Sequence, residues 1–289
     1  MTHDTTSDST VGAGDRVWLI TGASSGFGQA IAETALAAGD TVVATARRTA
    51  AVEALVAAHP DRAHGLALDV TDADRIGEVV SEVLHRVGRI DVLVNNAGHT
   101  QVGAVEETTD RELRDLMEVH FFGPAAMTRA VLPQMRRQGS GAIVQMSSTG
   151  GQLSFAGFSA YSATKCALEG YSEALASEVN PLGIKVLIVE PGAFRTNLFG
   201  SSRHESAAMS VYEDSVGPTR AMISDTAGRQ PGDPVRAAAA IVAALESEAP
   251  PLRLALGSDA VDAIGTHLDL VRRDLETWES VSRQTDFED

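Results

Sequence analysis

Short, largely apolar runs recur along this chain. Each is followed by a longer amphipathic or alanine-rich stretch, and this alternation limits the fold more than any other feature. Val17-Trp18-Leu19-Ile20 is the first run, and residues 41–45, 66–68, 92–94, 142–146, 184–189 and 252–256 follow it. Helix-prone stretches occupy residues 30–38, 51–58, 75–87, 110–137, 159–179, 234–246 and 259–278, with Thr71 or Asp72 placed to cap the third. Alternation of this kind implies parallel strands with helices packed on both faces. Strands buried on both sides read as nearly continuous Val, Ile and Leu, as these runs do. The expectation is an α/β fold, a doubly wound parallel sheet in three α/β/α layers, forming one domain over residues 15–289. Residues 1–14 are polar and acidic and are expected to be a flexible tail rather than a signal peptide. Residues 200–232, rich in Ser, Gly and Thr, break the alternation; they read as a mobile flap over a site or as a solvated surface excursion.

Charge narrows the function classes. Lys and Arg total 23 against 39 Asp and Glu, a net charge of −16, which argues against nucleic acid or anionic membrane as a partner. A local basic spot for one small phosphate stays possible. No apolar run approaches the roughly 18 residues of a membrane helix. Cys166 is the single cysteine, so an intramolecular disulfide is impossible. That fits a reducing compartment, and a cytoplasmic location is expected. The eight histidines show no metal-ligand spacing, so no catalytic metal is expected.

The segment Thr21-Gly22-Ala23-Ser24-Ser25-Gly26-Phe27-Gly28 joins the first strand to the first helix. Glycines there let the backbone approach a pyrophosphate, and the helix start supplies free N–H groups. On its own the segment reads equally well as an ordinary turn. At the end of the second strand, where a carboxylate usually holds the ribose of NAD, stand Ala46, Arg47 and Arg48. A neutral residue followed by arginine suits a 2′-phosphate. Tyr161 and Lys165 are four apart in a helical stretch and share a face. An ammonium there is expected to lower the phenol pKa, ordinarily about 10. Ser148 follows the fifth strand, placed to hold a carbonyl oxygen.

Taken in order, the Thr21–Gly28 turn, Asp69-Val70, Asn95-Asn96-Ala97-Gly98, Ser148 with Tyr161-Ser-Ala-Thr-Lys165, and Pro191-Gly192 with Thr196 resemble the short-chain dehydrogenase/reductase family, from about residue 16 to 257. The resemblance implies a single-domain Rossmann fold with a nicotinamide cofactor, NADP(H) rather than NAD(H) from Ala46 and Arg47. It implies cofactor contacts from Gly22, Ser24, Ser25, Gly26, Phe27, Gly28, Arg47, Arg48, Asp69, Val70, Asn95, Ala97, Gly98, Tyr161, Lys165, Pro191, Gly192 and Thr196. It makes Tyr161 the acid–base residue and gives Lys165 the nicotinamide ribose. One departure stands out. The family usually carries an asparagine of a proton relay where Glu118-Val-His120-Phe-Phe-Gly123 places His120. Two readings stay open: a relay imidazole titrating near 6.5, or a packed histidine.

The implied activity is reduction of a ketone or aldehyde, or oxidation of the corresponding alcohol, on a largely apolar small molecule. His99, Ser148, Phe155, Phe158, Tyr161, Phe194 and Leu198 are the expected substrate contacts, with a substrate loop over about 194–228. His99 also reads as a loop histidine without a role, and Cys166 as a small buried hydrophobe. Epimerase- or dehydratase-like chemistry and a non-catalytic dinucleotide-binding protein are the alternatives. Helices 110–137 and 159–179 correspond to those that pair in many family members, so a homodimer or homotetramer is expected. Residues 258–289 run past the usual last strand, to cap the pocket or block one interface.

Overall fold

A computed structural model describes residues 16–287, so the expected tail at 1–14 lies outside the described residues. Seven parallel strands form one sheet in the order β3-β2-β1-β4-β6-β7-β9. They are β1 (Val17–Ile20), β2 (Thr41–Ala46), β3 (Ala63–Ala67), β4 (Val92–Asn95), β6 (Gly141–Met146), β7 (Ile184–Pro191) and β9 (Arg253–Leu256). The helices between them are α1 (Gly26–Ala37), α2 (Glu53–Ala58), α3 (Ala73–Val87), α4 (Asp110–Met117), α5 (Gly123–Gln138), α6 (Ser159–Val179), α7 (Glu213–Thr226) and α8 (Pro234–Glu246), and α9 (Ser258–Arg283) follows the last strand. Asp72 caps α3 by accepting from the Arg75 N–H at 3.0 Å.

Strand side chains alternate between two cores. Trp18, Ile20, Val42, Ala44, Val144 and Leu187 pack under α1 and α8. Leu19, Val43, Leu93, Ile143 and Val186 pack under α3, α5 and α6. The three-layer, single-domain expectation holds.

Two expectations change. The stretch 110–137 is not one helix: α4 and α5 are joined by a π-helical turn, Glu118–Phe122, where Gly123 donates to the Glu118 carbonyl. Pro124 explains the break. Its ring would clash with the carbonyl of His120 in a straight α-helix, and it has no N–H to donate. The stretch 200–232 is also more built than expected. It contains β8 (Arg203–Glu205), which pairs in parallel with β5 (Thr100–Val102), and the whole of α7. Buried Glu107 anchors this segment. It accepts from Ala104 N at 2.6 Å, Met209 N at 2.7 Å and Arg220 Nη2 at 2.8 Å, which hold its carboxyl down at about 2.

Beneath β7 and α6 lies a buried acidic pair. Gln152 donates to Glu169 at 3.0 Å and to Glu190 at 2.8 Å. Arg253 reaches Glu169 at 3.0 Å, Glu190 at 3.4 Å and Glu173 at 3.2 Å. Burial and the neighbouring Glu169 carboxylate push Glu190 up to about 7. The folded state therefore holds a proton that the unfolded chain releases near the ordinary carboxylate pKa of about 4.3. Stability falls as pH rises from that value through 7. Glu190→Gln removes this titration, so its melting temperature relative to the parent should climb between pH 5 and pH 8. A constant difference across that range would contradict the shared-proton reading.

Candidate active site

The carboxyl ends of the strands open into one cleft of about 390 Å³. Strand order reverses between β1 and β4, so the loops after these two strands diverge and leave a crevice. Gly22 and Ser24 to Phe27 line it after β1, Ala46 and Arg47 at the end of β2, Leu68 to Thr71 after β3, and Asn96 to His99 after β4. Met146 to Ser148 and Pro191 to Phe194 complete the wall from β6 and β7.

The turn after β1 is shaped for a backbone approach. Gly26 has φ +57°, and a Cβ on Gly28 would collide with the Gly22 carbonyl. α1 carries no acidic residue in its first turn, and among the described residues no side chain caps it. Its N–H groups and positive dipole end therefore face the cleft. Asn96 fixes the turn, donating to the carbonyls of Thr21 at 2.9 Å and Gly22 at 3.1 Å.

Several expected contacts lie elsewhere. Asn95 is core: its amide donates to Gln145 at 3.0 Å and to Pro124 O and Thr128 at 3.3 Å. It sits on β4 and points into the sheet packing, while its neighbour Asn96 lines the cleft. Arg48 is exposed outside the cleft wall, and Gly28 lies behind the turn. Phe155 lines a separate shallow hollow with Val105, Tyr212 and Val216. Phe158 is buried behind Tyr161, ring centroids 5.9 Å apart. Phe194 lines the cleft and packs on Phe27 at 5.0 Å. Leu198, Thr196 and His99 also line it. Ser147 and His204 line it unforeseen. His204 comes from the weakly patterned segment and reaches the cleft because β8 pairs with β5, bringing its ring 4.3 Å from His99.

α6 brings Tyr161 and Lys165 to the cleft floor. Burial pushes the Tyr161 phenol up to about 12, against a hydrogen bond with Ser148 that pulls it down. Burial drops Lys165 to about 8, opposed by Glu169. The expected lowering of the phenol by Lys165 is corrected. The ammonium sits 5.6 Å from the centroid of the Tyr161 ring and donates to the Met146 carbonyl at 2.8 Å. In this state burial outweighs its charge.

His120 is fixed by two bonds. The Thr164 hydroxyl spends its single proton on the Tyr161 carbonyl at 2.7 Å, so it accepts from His120 Nδ1–H at 2.9 Å. His120 Nε2 is then the bare nitrogen, and it accepts from the His99 N–H at 3.2 Å. Burial and the Lys165 charge hold the imidazole well below its ordinary pKa. The reading in which it titrates near 6.5 is corrected: both nitrogens are engaged in the neutral form, tying the π turn to the loop after β4 and to α6. Burial and the positive charges around His99 likewise hold that ring at about 4.

Comparison with known proteins gives this site a lineage. The family described as short chain dehydrogenase matches residues 16–207. The oxidoreductase BOA17 of Botryotinia fuckeliana is 38% identical over 268 residues, 92% of this chain and 98% of that protein. A 3-ketodihydrosphingosine reductase of Bacteroides thetaiotaomicron is 40% identical over 199 residues, 69% of this chain and 71% of that protein. A crystal structure of a short-chain dehydrogenase from Streptomyces avermitilis superposes with a TM-score of 0.90 at 65% identity, covering 95% of this chain and 100% of that one. A metagenomic short-chain oxidoreductase solved with NADP is 34% identical at a TM-score of 0.59, covering 62% of this chain and 83% of that one. The chain belongs to the short-chain dehydrogenase family.

In this short-chain dehydrogenase, an oxidoreductase by family, Ser148, Tyr161 and Lys165 share one cleft with the glycine-rich turn. Among the described residues no group of three or more His, Cys, Asp or Glu is arranged to hold a metal ion. The His120 arrangement has a measurable consequence. The unfolded chain protonates this histidine below about 6.5, whereas the folded protein resists. Stability present above that pH is therefore lost as pH falls. Thermal unfolding from pH 8 to pH 5 should show a shallower acid-side decline for His120→Asn than for the parent. Equal slopes would mean that His120 carries no buried-neutral penalty.

Proposed function

We propose that this chain is an NADP(H)-dependent oxidoreductase that reduces the ketone or aldehyde of a largely apolar small molecule, or oxidises the corresponding alcohol. The observation that carries the reading is the joining of two features in one cleft. The Ser148–Tyr161–Lys165 group lies at the cleft floor, and the uncapped start of α1 lies in the same cleft with Arg47.

The residues fit a dinucleotide. The α1 start and the glycine turn suit a pyrophosphate. Ala46, small and neutral, leaves room for a 2′-phosphate, and Arg47 supplies the charge for it. Asp69 and Val70 would meet the adenine, and Pro191, Gly192 and Thr196, which line the same cleft, the nicotinamide. The NADP complex of the metagenomic relative supports this choice. When bound, the nicotinamide group supplies the hydride. The chain's own residues do the rest. Ser148 holds the carbonyl oxygen beside the Tyr161 hydroxyl, and Tyr161 donates its proton to that oxygen. A phenol held at about 12 stays protonated across the working range and is a ready donor in the reductive direction. Lys165, whose ammonium donates to the Met146 carbonyl, would hold a ribose hydroxyl of the bound cofactor. Phe194, Leu198 and Phe199 give the substrate side its apolar wall. The keto substrate in the name of the Bacteroides relative supports a carbonyl. The single cysteine and acidic surface suit a reducing cytoplasm, and among the described residues no helix is long and apolar enough to cross a membrane.

Two substitutions test the reading. Arg47→Ala should weaken NADPH by about 1.5–3 kcal/mol, the size of a charge-assisted hydrogen bond, and leave NADH nearly unchanged. Fluorescence titration of both cofactors measures this, and unchanged NADPH affinity would reject the 2′-phosphate assignment. Tyr161→Phe keeps the ring packed and removes the proton. Turnover should fall about 10²–10⁴-fold while cofactor affinity holds. Retained turnover would mean another acid acts.

A further inference from the structure

α9 leaves the body of the protein with an apolar stripe that nothing among the described residues covers. Its first turn is anchored: Ala260 is fully buried, and Asp259 accepts from Ala193 N at 2.7 Å. Beyond that turn the helix is open, and it lines neither the cleft nor the hollow beside Phe155. Yet Val261, Ile264, Leu268, Val271, Leu275 and Trp278 follow one another at spacings of three, four, three, four and three. Val261, Leu268, Val271, Leu275 and Trp278 are each at least half exposed. Exposed apolar residues are ordinary when scattered, but these six lie in one row. A 3.5-residue repeat is the pattern that lets two helices supercoil with knobs in holes. A lone amphipathic helix buried on its own domain needs no such strict repeat.

We infer that this seam pairs with the same seam of a second copy, in an antiparallel helix pair about a two-fold axis. Charge decides both the occupant and the direction. A row of alternating first and fourth heptad positions finds its geometric complement in another such row, and the flanking charges select among arrangements. In a parallel pair, Asp274 would face the partner's Glu279, and His267 the partner's Arg272, so both flanks set like charge or proton-binding groups against each other. That arrangement would also bring two bodies of net charge −16 side by side. In the antiparallel pair, Leu268 meets the partner's Val271, Ile264 the partner's Leu275 and Val261 the partner's Trp278. His267 then faces the partner's Asp274, a complementary contact made twice by symmetry. The overlap of residues 261–278 is roughly 27 Å long at 1.5 Å per residue, and the two acidic bodies lie at its opposite ends. Such a contact is isologous and closes on itself. A membrane surface is the poorer occupant. α9 carries Asp259, Asp262, Asp269, Asp274, Glu276 and Glu279 against Arg272, Arg273 and Arg283, the reverse of the basic face that anionic lipid attracts. The seam is separate from the α4–α6 faces expected to pair in relatives.

The test uses the full chain. Light scattering coupled to size exclusion at 10–100 μM should show the particle mass of Leu268→Glu/Leu275→Glu at half that of the parent, with the far-ultraviolet circular dichroism of the folded protein retained because both residues face solvent in a single copy. A parent mass equal to that of the double variant at every concentration would overturn the pairing. Direction is read by cysteine cross-linking in a Cys166→Ser background with a mild copper oxidant. Ile264→Cys mixed with Leu275→Cys should give a disulfide-linked dimer containing one of each, and neither variant alone should cross-link comparably. Equal cross-linking of either variant alone would overturn the antiparallel register. Sedimentation of a monomeric parent with phosphatidylserine vesicles, lost in Leu268→Glu/Leu275→Glu, would replace the second copy with a lipid surface.

Discussion

A parallel sheet covered by helices on both faces has no wet side. Its backbone polar groups are spent on neighbouring strands, so only the strand ends and their loops can meet a ligand. Everything functional in this chain follows from that restriction. The turn after β1, the Ala46–Arg47 end of β2, the Asn96–His99 loop after β4 and Ser148 after β6 are far apart in sequence. They converge because each strand stops at the same edge. The reversal of order at β1 and β4 then opens that edge into a crevice. Tyr161 and Lys165 come from a helix rather than a strand end, and α6 delivers them by packing along β7.

Burial, more than any single charge, sets the chemistry of the floor. It drives the Tyr161 phenol up and the Lys165 ammonium and His120 imidazole down. Each group is thereby biased toward its neutral form. The acidic pair beneath follows the same physics, with Glu169 and Glu190 sharing Gln152 and Arg253 and one proton. A neutral tyrosine beside a serine hydroxyl is a proton donor waiting for an oxygen. A lysine bonded to the Met146 carbonyl holds its charge in place without spending it on the phenol.

Much of this was legible in the residues, and what escaped did so for physical reasons. Apolar runs announced the central strands of the main sheet, because double-sided burial leaves little choice of side chain; at the β3 edge the run at 66–68 overlapped only the last two residues, since His64 and Gly65 hid the strand's start. β5 and β8 were invisible: three residues each, mixed in polarity, they pair only because the loops that carry them meet. His204 was lost with them. The break before Gly123 was hidden because helix-forming sequence runs on both sides of the π turn with no loop between, although Pro124 was the signal. Asn95 and Asn96 differ by one residue, and a strand turns adjacent side chains to opposite faces, so motif position alone did not say which one faces the cleft. The expectation that Lys165 lowers the phenol pKa rested on helical spacing, which sets a shared face but not where the ammonium points.

The account rests on a hydride donor and the Tyr161 proton meeting at one carbonyl group in this cleft. Loss of nicotinamide absorbance, followed with the purified protein over a panel of apolar ketones and aldehydes, tests that most directly. The account predicts that at least one of them drives oxidation of NADPH, and does so faster than oxidation of NADH at equal concentration. Tight binding of NADPH with no oxidation by any carbonyl in the panel would contradict it.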